Sequence, residues 1–160
     1  MNKTPSHIQN KIAEIYEYIA KDDNGLPQVP VNLTPILEKF DIKAYNTSFK
    51  KPDIAGAFDR LNKTIFVNAT DPQTRKIFTL AHELGHYFLH NNAADVLYRE
   101  SKTAKNTLES EADLFAAELL MPESVIRFYW PIAESIQQLA DIFSVSYSAM
   151  LNRLRYLDFI

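Results

Sequence analysis

His82 and His86 stand four residues apart with Glu83 directly after the first, giving the pattern His-Glu-x-x-His. On an α-helix these two histidines lie one turn apart on one face, so both imidazoles can converge on a single cation. Glu83 is displaced by roughly 100°, away from the ligand pair yet within reach of a water on the metal. That suits peptide-bond hydrolysis: zinc lowers the pKa of the water, and the carboxylate takes its proton and passes it to the leaving amine. The pattern arises by accident in about 0.6% of chains of this length and composition. The bland alternative is a pair of histidines packed on a surface helix. Gly85, with no side chain on this crowded helix, suits close packing against a neighbouring strand.

A catalytic zinc site takes three protein ligands and keeps one position open. The acids of Leu108-Glu109-Ser110-Glu111-Ala112-Asp113 are the candidates. Glu109 and Asp113 share a helical face while Glu111 points elsewhere. The economical assignment makes Glu109 the ligand and Asp113 a carboxylate that holds a histidine N–H. Glu111 is the main competitor as ligand and Asp113 the next, and any of the three can also be read as part of a solvated face. His90 lies another turn along, roughly 6 Å further down the axis. It does not readily close a tetrahedron with the first two, so a structural or supporting role is expected. Tyr87 and Tyr98 are candidates to polarise a scissile carbonyl, and nothing in the sequence separates either from an ordinary tyrosine.

The elements that must position these groups can be read from periodicity. Ile8, Ile12, Ile15 and Ile19 predict an amphipathic first helix, and 33–40 a short second one. Strand character follows at 42–45, 54–58 and 64–67, with 59–63 as a hairpin connection. Gly56 inside a strand predicts close approach by another backbone or a ligand. With Ala57 it marks 54–58 as the candidate strand edge for holding an extended substrate. The motif helix is expected over 74–90 and the acid-bearing helix over 108–121, stopped by Pro122. Residues 91–107 read as a long loop, either a lid or a simple connection. Two helices close the chain at 136–143 and 147–156.

Composition bounds the rest. The chain has 160 residues, 46% hydrophobic and 23% charged, which fits one globular domain. We read N-terminal helices over about 1–41, a catalytic core over 42–122 and a C-terminal helical subregion over 123–160. The absence of cysteine excludes disulfides, thiolate ligands and a cysteine nucleophile. No apolar run is long enough to span a bilayer and the start is polar, so a cytoplasmic location is expected. A net charge of −3 argues against broad affinity for nucleic acid.

Phe78-Thr79-Leu80-Ala81-His82-Glu83-Leu84-Gly85-His86-Tyr87-Phe88-Leu89-His90, followed by Glu109-Ser110-Glu111-Ala112-Asp113-Leu114-Phe115-Ala116-Ala117-Glu118-Leu119-Leu120-Met121-Pro122, resembles the ImmA/IrrE family of metallopeptidases. The resemblance covers about residues 30–157. It implies an α+β, zincin-like fold in which a small twisted sheet packs on the motif helix. It also implies one zinc per chain held by His82, His86 and an acid of 109–113, with Glu83 as general base. Members are encoded by bacteria, mobile elements and prophages, and characteristically cut a helix-turn-helix repressor. A protein substrate of that kind is the expected partner.

The closing segment, Gln138 to Leu154, itself reads like a helix-turn-helix, with Ser144-Val145-Ser146 as the turn and Arg153 and Arg155 on the second helix. With so few cations there, a packing unit or a docking surface for the repressor is the better reading than DNA contact. Two non-enzymatic alternatives stand beside the peptidase: a DNA-binding regulator, and a zinc-containing protein that sequesters its partner uncut. Retention of Glu83 weighs against the second, since binding alone requires no general base.

Overall fold

The computed structural model describes residues 3–51, 53–90 and 102–160. Among these the order is α1 (Ser6–Tyr16), α2 (Thr34–Lys39), β1 (Lys43–Thr47), β2 (Gly56–Asp59), β3 (Thr64–Asn68), α3 (Gln73–Leu89), α4 (Lys102–Leu120), α5 (Glu123–Tyr129), α6 (Ile136–Phe143) and α7 (Tyr147–Tyr156). The fold is α+β, as expected. None of these helices is long and apolar enough to cross a membrane.

The sheet has the order β1-β3-β2. β1 pairs parallel with β3, and β2 pairs antiparallel with it, Gly56 opposite Val67 and Asp59 opposite Thr64. Asp59 closes the connection by accepting hydrogen bonds from the backbone N–H and the side-chain amide of Asn62. Strand β2 begins at Gly56 rather than Ile54. Ala55 still accepts from the N–H of Asn68 at 2.8 Å, so Ala55, Ala57 and Asp59 face their partners on β3. By antiparallel alternation Gly56 and Phe58 turn their N–H and C=O groups to the free edge. Of the two residues singled out on this strand, Gly56 therefore lies at the edge with its backbone outward, and Ala57 directs its peptide groups inward.

Buried side chains from Ile8 to Leu154 form one hydrophobic cluster. Helix α3 places Ala81 and Leu84 in it, and α4 places Phe115, Ala116 and Leu119, while Gly85 and Ala112 are buried where the two helices meet. The two helices pack chiefly on each other. A Cβ on Gly85 would sit 3.1 Å from the Ala112 Cα and 3.2 Å from its carbonyl oxygen. The close neighbour is thus helix α4, not a strand as expected from sequence. The missing side chain allows the two helix backbones to meet at this crossing.

Two further departures concern helix limits. Residues 91–101, including Tyr98 and most of the expected loop, lie outside the described residues. Helix α4 starts at Lys102 instead of Leu108, because Lys and Ala are good helix formers even where no apolar period announces them. Helix α5 was not anticipated: it buries only Val125 and Ile126 between Pro122 and Trp130, too short a stretch to display a period. The closing helices have the expected limits. Ser135 and Ser146 cap their N-termini through side-chain oxygens, and Ser144 makes the turn at φ 51°.

Candidate metal centre

Antiparallel packing of α3 and α4 brings His82, His86 and Glu109 together, with one donor atom from each within 4.8 Å of the others. The separations are close to equal. His82 Nε2 and His86 Nε2 are 3.1 Å apart, and the two Glu109 carboxylate oxygens lie 3.2 Å from them, Oε2 near His82 and Oε1 near His86. A tetrahedral zinc with bonds of about 2.0–2.2 Å separates its donors by roughly 3.3 Å. The donor set and its spacing fit that ion.

The partners on the far side of each ring fix which nitrogen is available. His82 Nδ1 lies 2.8 Å from Asp113 Oδ1, so it carries a proton to donate, and Nε2 presents a lone pair. His90 Nε2 donates to Glu111 at 2.8 Å, which leaves His90 Nδ1 to accept from His86 Nδ1 at 2.9 Å. His86 Nε2 is then a lone pair as well. Two lone pairs and a carboxylate within hydrogen-bond distance repel one another unless a cation joins them. Burial disfavours charge on the His82 ring, but the Asp113 hydrogen bond and the charges of Glu83, Asp113 and Glu109 outweigh it and raise its pKa.

Glu83 faces the sheet: a Cβ on Gly56 would lie 3.6 Å from its Oε1. The same Cβ would come within 2.5 Å of Thr79 Cγ2 and 2.9 Å of the Phe66 carbonyl oxygen. Gly56 thus permits the close approach anticipated from sequence, made by the motif helix and the neighbouring strand. Glu111 and Asp113 each approach a histidine ring rather than the donor triangle. Tyr87 packs edge-on against Phe58, Phe40 and Phe88, within an aromatic cluster.

Two contacts had no sequence signal. His7 on α1 approaches Glu111 Oε1 at 3.3 Å, and Arg60 donates to the His86 carbonyl at 3.3 Å. Both are long-range, and no local spacing marks them. At the closing helices Arg153 is 1% exposed. It donates to both carboxylate oxygens of Glu118 and to the Met121 carbonyl. One of the two arginines considered for DNA contact is therefore spent inside the molecule.

A histidine pair on one helix, an acid from an antiparallel second helix and a sheet edge alongside define the zincin-like class of metallopeptidase. The chain belongs to the peptidase family described as the IrrE N-terminal-like domain, whose match spans residues 37–155. It is 34% identical over 91 residues to metallopeptidase ImmA of Bacillus subtilis (strain 168), covering 54% of this chain and 53% of that protein. It is 33% identical over 108 residues to the radiation response metalloprotease IrrE of Deinococcus radiodurans, covering 62% of this chain and 33% of that protein. The chain thus matches about half, or less, of the length of these relatives. A solved structure described as a Mycobacterium tuberculosis transcriptional regulator shares the fold, with a TM-score of 0.69 and 15% identity over 96% of this chain and 47% of that one.

Proposed function

We propose that the chain is a zinc endopeptidase that cuts a helix-turn-helix transcriptional repressor in the cytoplasm, within a bacterial, mobile-element or stress-response circuit. The observation that carries the peptidase reading is the donor triangle of His82, His86 and Glu109, with Glu83 between it and the sheet edge. The repressor as substrate rests on the family resemblance.

In this reading His82, His86 and Glu109 hold the metal. When bound, zinc supplies Lewis acidity and acidifies water. Asp113 orients His82, and the His90–Glu111 pair orients His86. Glu83 accepts a proton from the attacking water and returns it to the leaving amine. The substrate backbone pairs with the outward peptide groups of Gly56 and Phe58, as an added strand.

The test is coexpression with a neighbouring repressor-like protein, scored for cleavage, together with metal analysis of purified variants. One zinc per chain is expected, lost in His82→Ala, His86→Ala and Glu109→Ala. Glu83→Gln should keep the metal and lose roughly 100- to 10,000-fold in cleavage rate. Cleavage by Glu83→Gln at the unmodified rate would sink the mechanism, and metal loss in Glu111→Ala but not in Glu109→Ala would reassign the third ligand.

A further inference from the structure

His86 and His90 belong to a longer file of hydrogen bonds that ends on α1. His86 Nδ1 meets His90 Nδ1 at 2.9 Å, and His90 Nε2 meets Glu111 Oε2 at 2.8 Å. The other carboxylate oxygen, Glu111 Oε1, lies 3.3 Å from His7 Nε2. Side-chain exposure falls along the file from 57% at His7 to 28% at Glu111 and 4% at His90. Water therefore reaches Glu111 but not the ring it holds. A glutamate has several rotatable bonds, so a single partner leaves it free to swing toward solvent. Accepting from a ring on each side fixes its direction.

His7 is itself held firmly. It sits in the first turn of α1, between the buried Thr4 and the buried Ile8. Thr4 bonds through its hydroxyl to Glu118 and Tyr156, and its carbonyl accepts from the Gln9 side-chain amide at 2.6 Å. Ile8, Ile12 and Ile15 bury the inner face of α1. That helix packs on α4, which carries Glu111. The span matched to the family begins at residue 37, so α1 and His7 lie outside it.

We infer that His7 is a positioning residue for the metal centre. By donating to Glu111 Oε1 it aims Oε2 at His90, and His90 in turn holds the His86 ring with its Nε2 toward the metal. The inference rests on the reading of His82, His86 and Glu109 as metal ligands. His7 touches neither metal nor substrate. The neutral Nε2–H tautomer and the charged ring both donate from this atom, so the role needs no charge on His7.

The test compares zinc affinity across His7 variants by competition with a chromogenic chelator. His7→Ala is expected to weaken binding roughly three- to tenfold, less than the ~10–100-fold of a partner that touches a ligand ring. His7→Phe keeps the bulk of the ring without a donor and should lose as much. His7→Gln restores an amide donor and should recover most of the loss. A packing role predicts the reverse order, and that order, or a loss below about twofold in His7→Ala, would overturn the inference. In a Glu111→Ala background His7→Ala should cause no further loss; a further loss would refute the route through Glu111. A second readout needs no metal. The His90 Nε2–H proton, followed by NMR in the isotope-labelled, metal-free protein, should exchange with water at least roughly threefold faster in His7→Ala. An unchanged exchange rate overturns the inference. Faster exchange in His7→Ala, with no zinc bound by the unmodified protein, keeps the hold of His7 on His90 and sinks the metal-ligand reading.

Discussion

Asp113 and Glu111 support the two histidines of the candidate metal centre in different ways. Asp113 touches the His82 ring directly, whereas Glu111 reaches His86 only through His90. Asp113→Asn is expected to weaken zinc binding roughly 10- to 100-fold, measured by competition with a chromogenic chelator. Glu111→Gln should weaken it less, because His90 keeps its place against His86. Equal losses in the two variants would contradict this ordering. The His82–His86 pair was legible from spacing alone, and so was the shared face of Glu109 and Asp113. Which acid meets the donor nitrogens and which meets a ring's far side was not. That depends on how α4 crosses α3, a property of two helices together and of no local pattern. His7 reaches Glu111 from α1, and nothing near either residue announces the contact.

Two glycines set the spacing of the elements that form the cleft. At Gly85 a methyl group would press on the Ala112 backbone and the Phe115 ring. Ala gains about 1 kcal/mol over Gly in a helix interior, but overpacking costs about 1–3 kcal/mol, and backbone cannot step aside. Gly85→Ala is expected to lower stability in urea titrations and to weaken metal binding by moving Glu109 away from the histidines. A stabilised variant with unchanged metal affinity would show that the crossing is looser than described. At Gly56 the contact falls on Thr79 and the Phe66 carbonyl, so Gly56→Ala should displace the strand edge from Glu83. Helices such as α1 and α3 were readable because their buried faces repeat at the helical period over three or more turns, and α6 and α7 because turn and cap residues bracket their apolar positions. Helix α5 and the first turns of α4 were not, one being too short and the other lacking an apolar face to read.

A polar cluster ties the two ends of the chain to the end of α4. Arg153 and Glu118 form a two-pronged ion pair with the arginine side chain 0% exposed. Removing one partner of a buried pair costs about 3–5 kcal/mol, so Arg153→Ala should fall in that range by chemical denaturation. The double variant Arg153→Met, Glu118→Leu should recover most of it, since no charge is left unpaired. The Tyr16 hydroxyl donates to the carbonyls of Glu118 and Leu119, and burial pushes its pKa far above the usual tyrosine value. Thr4 bonds to Glu118 and to Tyr156. Lys3 pairs with Asp158 at 2.8 Å and holds its carboxyl below the usual range. That contribution is present at neutral pH and is lost as pH falls through the lowered value. Residues 3 and 158 are thus neighbours in space. A short flexible linker could join residue 3 to residue 158, and the resulting ring could be reopened within the 48–51 connection as a circular permutant. Any partner domain fused next to residue 3 or residue 158 would emerge from the same corner, just past the end of α7.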